Sequence, residues 1–247
     1  MFRKIKEIIY PVKIWLDKIY KYPAPVFEKM DYDKYWQEKR GKNIGNLSEW
    51  QKIRADFVLE NISGDKFIFC DVGSGAGAIL KYLSENKVLK RGIGIDKSNL
   101  ALDVLRGFGF EGLNLDFDNS TSISNIPESD FYILFEILEH IYEPDLLLKT
   151  LYSKSKKGVF FSFPNSGFFI YRLRLLFGKF PMQWRRHPSE HIRFWTLKDL
   201  KWWLKALNFD NFEIRPYKGI PFLNKIWPAM FSAAFVVYVK KSNENLS

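Results

Sequence analysis

Cysteine is nearly absent from this sequence, because Cys70 is the one cysteine in 247 residues. Its rarity excludes a disulfide framework and favours a reducing compartment, and the apolar run around Cys70 makes it a small core residue. Apolar runs of about eighteen residues, the length that spans a bilayer, are also missing, so no transmembrane helix is predicted. Charges at positions 3, 4, 6 and 7 interrupt any signal-peptide core, and we expect a cytoplasmic protein.

Internal repeats are missing too, and the length of 247 residues suits one sizeable α/β core with additions. Hydrophobic residues at 47% and charged residues at 27% are ordinary for a soluble globular protein, while aromatics at 17% favour covered pockets or lids. We divide the chain into an N-terminal helical or lid segment at 1–46, a main domain at 47–241 and a tail at 242–247. The main domain carries an insertion at 165–195.

Two segments carry the excess positive charge of a chain whose net charge is +10. Residues 1–42 hold eleven Lys and Arg against six Asp and Glu, and residues 166–205 hold nine against two, so the remainder is net acidic. This asymmetry favours an anionic partner on one side, such as a nucleotide, a phosphorylated sugar, nucleic acid or anionic lipid. Solubility alone explains the charge equally well.

Residues 2–22 place apolar side chains at helical spacing with lysines between them, interrupted by Pro11. Such a basic amphipathic segment covers the core as a lid or contacts a membrane surface, and the lid is the more common outcome.

Buried strands alternate with helices along the rest of the chain, which is typical of a doubly wound α/β sheet. The predicted strands are 67–72, 92–96, 112–116, 131–135, 159–163, 213–217 and 231–239. The predicted helices are 47–62, 78–86, 99–107, 145–155 and 197–207. Because the chain ends on a strand pair without a crossover helix, we expect the last strand to be antiparallel.

The insertion contains a basic amphipathic stretch at 171–180, which we expect to lie over the active site. Its arginines and aromatic residues suit a phosphorylated or nucleotide-bearing molecule, and His187 extends this basic rim. The residues are Arg172, Arg174, Arg185, Arg186 and Arg193, with Tyr171, Trp184 and Trp195. Helical packing against the core explains the leucines between them but does not explain the arginines.

A glycine-rich turn follows the first predicted strand, with Gly73, Gly75 and Gly77 around Ser74. Glycines there let a ligand approach the backbone. The spacing alone is ambiguous, because Gly73, Gly75 and Ala78 also satisfy the dinucleotide-binding pattern.

Asp71, at the end of the first predicted strand, helps to distinguish a dinucleotide-binding site from a site for S-adenosylmethionine. Its carboxylate would repel a pyrophosphate but can take part in binding the cationic methionine end of S-adenosylmethionine. Asp96 ends the second strand, where a carboxylate accepts both hydroxyls of a ribose in either cofactor. Asp116, with Phe117 beside it, is placed to meet an adenine. Each acid could also be a turn former, but three at successive strand ends favour binding.

From residue 67 to 239 the chain resembles class I S-adenosylmethionine-dependent methyltransferases, with residues 71–77 similar to their first motif. The resemblance implies a seven-stranded Rossmann-like sheet with the last strand antiparallel. It also implies cofactor contacts from Asp96 with Lys97, from Asp116 with Phe117, and from Phe135 and Glu136 at the methionine end. Residues 135–144 most resemble the group of MetW and the ubiquinone O-methyltransferases, within methyltransferase types 11 and 12.

Glu136, Glu139 and His140 would share one face if a helical turn begins at Glu136. Two carboxylates and an imidazole can hold Mg²⁺ or Mn²⁺, which would orient an acceptor hydroxyl and lower its pKa. The E-x-x-E-H pattern resembles the metal-binding element of small-RNA 2′-O-methyltransferases, which implies His191 as a further ligand. The alternative is a Glu–His pair that shapes the loop, with His191 or His140 as general base.

The leading hypothesis is methyl transfer from S-adenosylmethionine to oxygen on a small, polar, anionic acceptor, such as a sugar or nucleotide derivative. Nitrogen acceptors stay open. Asp71 and the antiparallel last strand disfavour an NAD-dependent oxidoreductase. A cofactor-binding subunit of the MetW type, without chemistry of its own, is the alternative from another class. RNA modification ranks lower, because no RNA-binding module is recognisable.

Overall fold

The computed structural model describes residues 19, 32–40, 45–116, 120–181, 183 and 191–241. Its strands are β1 (Phe67–Val72), β2 (Leu89–Asp96), β3 (Glu111–Asn114), β4 (Ser129–Phe135), β5 (Ser155–Pro164), β6 (Phe212–Tyr217) and β7 (Ala234–Lys240). Its helices are α1 (Tyr32–Arg40), α2 (Glu49–Asn61), α3 (Ala78–Glu85), α4 (Asn99–Gly107), α5 (Ser120–Ser124), α6 (Pro144–Lys154), α7 (Phe169–Leu176), α8 (Leu197–Ala206), α9 (Leu223–Ile226) and α10 (Pro228–Phe231).

The seven strands form one sheet in the order β3-β2-β1-β4-β5-β7-β6. The pairs from β3 to β5 are parallel, and β7 runs antiparallel to both β5 and β6. The order reverses between β1 and β4, so the carboxyl ends of β1, β2 and β4 open onto a crevice at this switch point. The predicted fold class, including the antiparallel last strand, is confirmed.

The sheet divides the hydrophobic core into two layers, and phenylalanine side chains contribute to both. Phe160 and Phe161 are neighbours on β5 and point to opposite faces, as strand geometry requires. Phe160 stacks on Tyr238 with ring centroids 4.1 Å apart, while Phe161 packs with Trp203 of α8. Burial on both faces explains why the central strands are continuous apolar runs.

The differences from the sequence prediction include a strand end, an additional helix and a strand start. β3 ends at Asn114, so Asp116 lies beyond it. The short helix α5 stands between β3 and β4, where no helix was predicted. Residues 231–233 do not belong to the last strand, because Phe231 ends α10 and β7 begins at Ala234.

The described residues contain no helix that is long and apolar enough to cross a bilayer. The predicted amphipathic pattern at 2–22 lies outside the described residues except for Ile19, and the predicted tail at 242–247 lies outside them entirely.

Candidate functional site

Left-handed backbone at the glycines builds the loop after β1. The φ angles of Gly73, Gly75 and Gly77 are 74°, 51° and 75°. A Cβ on Gly73 would lie 2.0 Å from the Ile137 side chain, and one on Gly75 would lie 2.3 Å from the Trp36 ring. Both the conformation and the space therefore require glycine. The nitrogens of Gly73 and Ser74 donate to the Ile95 carbonyl at 2.8 and 3.0 Å, which fixes the loop above β2.

Asp71 is buried beneath this loop, and its Oδ2 atom has no hydrogen-bond donor among the described residues. Burial, helped by the nearby Asp96 carboxylate, raises the pKa of Asp71 to about 8. A buried carboxyl group of this kind favours a cationic ligand, whose charge would stabilise the ionised form.

Asp96 ties the loop to the end of β2. Its two oxygens accept hydrogen bonds from the backbone nitrogens of Gly75 at 2.8 Å and Ser98 at 2.9 Å. Burial raises the pKa of Asp96, although these backbone donors oppose the shift. The carboxylate thus lies at the predicted ribose position, next to the glycine loop.

The helix α1 covers this corner of the site, which the sequence patterns did not indicate beyond a general lid segment. Trp36 lies over Gly75 and packs with Ala76 and Ala101, while the Asp33 carboxylate accepts a hydrogen bond from the Ser98 hydroxyl. Asp33 and Trp36 are three residues apart and share one face of the helix. That spacing in a segment of mixed charge is the one signal that could have identified them.

Glu136 stands at the end of β4 with a φ angle of 59°. Its Oε1 atom accepts hydrogen bonds from the Ser162 hydroxyl at 2.9 Å and the Tyr217 hydroxyl at 3.1 Å, and lies 3.0 Å from Nη1 of Arg54. Arg54 also donates to the Tyr217 hydroxyl at 3.2 Å. We call Arg54, Glu136, Ser162 and Tyr217 the Glu136 network.

Arg54 and Tyr217 were not among the predicted site residues. Arg54 lies buried within α2, with its guanidinium carbon 5.4 Å from the centroid of the Phe135 ring. Its Nε atom has no acceptor among the described residues. An arginine on the same helix face as Phe57 and Val58 was the available signal, because a buried cation needs an anionic partner.

A cluster of one carboxylate and two imidazoles lies just after β4. Glu139, His140 and His191 each offer a ligand atom, and these atoms lie within 4.8 Å of one another. Glu139 is buried, and neither carboxylate oxygen has a donor among the described residues. Burial, with the negative charge of Glu136, raises the pKa of Glu139 well above its ordinary value. The backbone nitrogens of Ile192 and Arg193 donate to the Glu139 carbonyl, which holds His191 here.

Glu136 does not join this cluster, and the predicted common helical face is wrong. The turn is a 3₁₀ helix that begins at Leu138, two residues after Glu136. The left-handed backbone of Glu136 directs its carboxylate into the Glu136 network instead. The candidate metal ligands are therefore the three residues Glu139, His140 and His191.

Asp116 and Lys97 form an ion pair at 2.8 Å, and the contact of Asp116 with an adenine stays a prediction. Since β3 ends at Asn114, the Asp116 side chain is more than half exposed instead of standing at a strand end. Phe117 lies outside the described residues. So do Trp184, Arg185, Arg186, His187 and Glu190 of the predicted insertion.

The described arginines of the predicted rim bind backbone carbonyls. Arg172 donates to Gly167 at 2.6 Å, Arg174 donates to Phe180 at 2.9 Å, and Arg193 donates to Tyr142. Their positions are thus explained by folding of the insertion, whereas a phosphate-binding role was predicted.

A family model described as "Methyltransferase domain" (Methyltransf_23) matches residues 36–214. No curated protein sequence matches the chain. A SAM-dependent methyltransferase from Archaeoglobus fulgidus is 18% identical with a TM-score of 0.60, and the match covers 86% of this chain and 100% of that one.

Two further solved structures share the fold. Magnesium protoporphyrin IX methyltransferase from Synechocystis, with bound SAH, is 13% identical with a TM-score of 0.54, over 98% of this chain and 100% of that one. The methyltransferase domain of the bacterial protein CtHen1 is 16% identical with a TM-score of 0.53, over 77% and 98%. At these identities the likeness shows the fold, and the family model shows the family. The chain belongs to the methyltransferase-domain family and is an S-adenosylmethionine-dependent methyltransferase.

Proposed function

We propose that this enzyme transfers a methyl group to a hydroxyl oxygen of a small, polar, anionic acceptor, with a divalent cation held by Glu139, His140 and His191. The observation that carries the proposal is the cluster itself, where a buried carboxylate that has no donor among the described residues lies beside two imidazoles. One carboxylate and two imidazoles suit Mn²⁺ and related divalent ions. A metal there would lower the pKa of an acceptor hydroxyl.

The residues around the crevice fit S-adenosylmethionine. Asp71 and Glu136 would attract its ammonium and sulfonium, Arg54 would face its carboxylate, and Asp96 would accept the ribose hydroxyls. The bound cofactor supplies an electrophilic methyl group. Burial of Asp71 beneath the glycine loop excludes water from the cationic end, which strengthens these interactions.

An acceptor hydroxyl must lose its proton as its oxygen attacks the methyl group. If the cation binds, Glu139, His140 and His191 would hold it and it would lower the pKa of the hydroxyl. The proton would then pass to solvent water while the methyl–sulfur bond breaks and S-adenosylhomocysteine leaves. Without the cation, His140 or His191 would accept the proton directly, since an imidazole titrates near neutral pH. The anionic character of the acceptor is supported by the net charge of +10.

A Mn²⁺ titration followed by electron paramagnetic resonance tests the metal site. The native protein should bind one ion, and Glu139→Gln and His191→Ala should each weaken binding at least about tenfold, because each removes one ligand. Glu143→Gln, an exposed neighbour, is the matched control. Equal binding by all four proteins would refute the site.

Turnover measurements test the reaction. With radiolabelled S-adenosylmethionine and a panel of phosphorylated and carboxylated polyols, EDTA should abolish methyl transfer and Mn²⁺ should restore it. Turnover unaffected by EDTA and by His191→Ala would contradict metal assistance. Calorimetric binding of NAD in place of S-adenosylmethionine would contradict the cofactor.

A further inference from the structure

Large apolar side chains are exposed in two segments of the protein. They are Leu175, Leu176, Phe177 and Phe180 at the end of α7, with Phe222, Ile226 and Trp227 around α9. Leu176 and Phe222 expose 76% and 72% of their surface. We call these seven residues the apolar face. Monomeric soluble proteins rarely concentrate so many large apolar side chains outside an interaction surface.

The helices next to the two segments contact each other through α7 and α10. The ring of Phe169, at the start of α7, lies 6.0 Å from the ring of Phe231 in α10, which lies 6.0 Å from Trp227. Ile220, just before α9, packs on the buried cluster that contains Phe168. The two exposed segments therefore extend from one packed layer of the molecule.

Buried hydrogen bonds hold this layer in place. Arg174 is fully buried, and its guanidinium donates to the Phe180 carbonyl at 2.9 Å and the Ile19 carbonyl at 3.0 Å. The first bond fixes the turn that displays Phe177 and Phe180. The second attaches Ile19, the last apolar position of the basic amphipathic pattern at 2–22, to the same layer.

Charge of one sign accompanies the apolar face. The sequence has no Asp or Glu from 166 to 189 or from 214 to 243, and each stretch holds five Lys and Arg. Lys225 is exposed between Phe222 and Trp227. Exposed leucine and aromatic side chains in stretches that hold cations and no acids suit a surface that is apolar inside and anionic at its boundary.

We propose that the apolar face docks this methyltransferase on an anionic lipid bilayer. The leucine and phenylalanine side chains enter the boundary between headgroups and acyl chains, and Trp227 lies at the headgroup level that indole prefers. Lys225, which is exposed within the second segment, contacts lipid phosphates. This docking does not depend on the metal or on the acceptor proposed above.

The docked surface adjoins the Glu139 cluster. Phe180 lies edge-on to Phe194 with ring centroids 5.3 Å apart, and Phe194 follows His191 by three residues. An amphiphilic acceptor carried in the bilayer would then present its hydroxyl beside the candidate active site.

Vesicle sedimentation tests the docking. The full chain is mixed with vesicles of phosphatidylcholine, with or without roughly 30% phosphatidylglycerol. The native protein should sediment with the anionic vesicles, and raising the salt should release it. Leu176→Glu and Trp227→Glu should each weaken binding about tenfold. Trp202→Glu is the matched control, because Trp202 is 71% exposed on α8, outside the apolar face.

Thermal unfolding confirms that each variant is folded before its binding is compared. Binding that is lost in both apolar-face variants and kept in Trp202→Glu supports the docking. No sedimentation of the native protein, or equal sedimentation of all variants, overturns it. A dimer in light scattering that Leu176→Glu dissociates, without any vesicle binding, would assign the face to a second copy of the chain and overturn the proposal.

Discussion

Glu136 shows how one residue can accept backbone strain to complete a polar network. Left-handed backbone costs a non-glycine residue about 1 kcal/mol or more. In return, the Glu136 carboxylate meets three donors, from Arg54, Ser162 and Tyr217. Without it, the buried guanidinium of Arg54 would lack its anionic partner, which costs more than the strain.

Tyr217→Phe tests the Glu136 network. The change removes a hydroxyl that donates to Glu136 at 3.1 Å and accepts from Arg54 at 3.2 Å. The free energy of unfolding should fall by about 1 kcal/mol, and S-adenosylmethionine should bind several-fold more weakly because Arg54 and Glu136 lose their alignment. Urea denaturation and calorimetry measure the two effects.

Tyr238→Phe is the control for this change, since its hydroxyl donates to the Lys157 carbonyl at 3.2 Å, outside the network. It should lower stability without altering cofactor affinity. Equal cofactor affinities in the two variants would show that the network has only a structural role.

Asp71→Asn tests the buried carboxyl group through pH. Because burial raises its pKa from 3.8 to about 8, native Asp71 keeps a proton that the unfolded chain releases above about pH 4. The native state binds more protons, so this group's contribution to stability falls as pH rises from 4 to 8. Asparagine does not titrate. The free energy of unfolding of the variant should therefore rise, relative to that of the native protein, by about 1 kcal/mol or more between pH 5 and pH 8.

Urea denaturation of both proteins at each pH measures that difference, and groups that titrate identically cancel in it. A difference that does not change with pH would mean that Asp71 is ionised within the native core.

The helix α1 supplies the cover that a cofactor site needs in addition to its glycine loop. The loop fixes backbone geometry, but an open crevice would leave the ligand in water. Trp36 covers Gly75, and Asp33 bonds Ser98, the N-cap of α4, so one helix face closes the corner near Asp96.

Trp36→Ala should shorten the lifetime of bound S-adenosylmethionine about tenfold, because the variant removes apolar cover from the loop. Stopped-flow displacement measures the dissociation rate. Gln37→Ala changes an exposed residue of the same helix and should leave the rate unchanged. Tighter binding in Trp36→Ala would show that the indole competes with the cofactor.

Strand and helix positions were predictable where burial and turns dominate. β1 and α4 have the predicted limits, because an apolar run ends in glycines and Ser98 caps the helix. The Glu136 turn was not predictable, since a left-handed glutamate is stabilised by partners from α2, β5 and β6, each far away in sequence. The strand-end position predicted for Asp116 is wrong for a local reason, because the chain leaves the sheet at Asn114.

The strand that joins β6 to the rest of the sheet, β7, is the last strand in the sequence of the described residues. β7 lies between β5 and β6 and pairs with both, so within the described residues β6 joins the sheet through β7 alone. Residues 234–239 are all buried and complete both core layers. The fold therefore depends on its C-terminal strand, although the crevice at β1, β2 and β4 lies on the other half of the sheet.

A chain that ends at Ala233 should consequently lose cooperative unfolding, because β6 loses its neighbour and the layers around Phe160 and Phe161 open to water. A chain that ends at Lys241 is the matched control and should unfold as the full chain does. Lys241 must be kept, because its ammonium group donates to three carbonyls at the end of α6, those of Tyr152, Ser153 and Ser155. Calorimetry of both chains measures the transition. If the shorter chain unfolded cooperatively and still bound S-adenosylmethionine, the parallel strands β1 to β5 would form an independent folding unit, and β7 would be an addition to it.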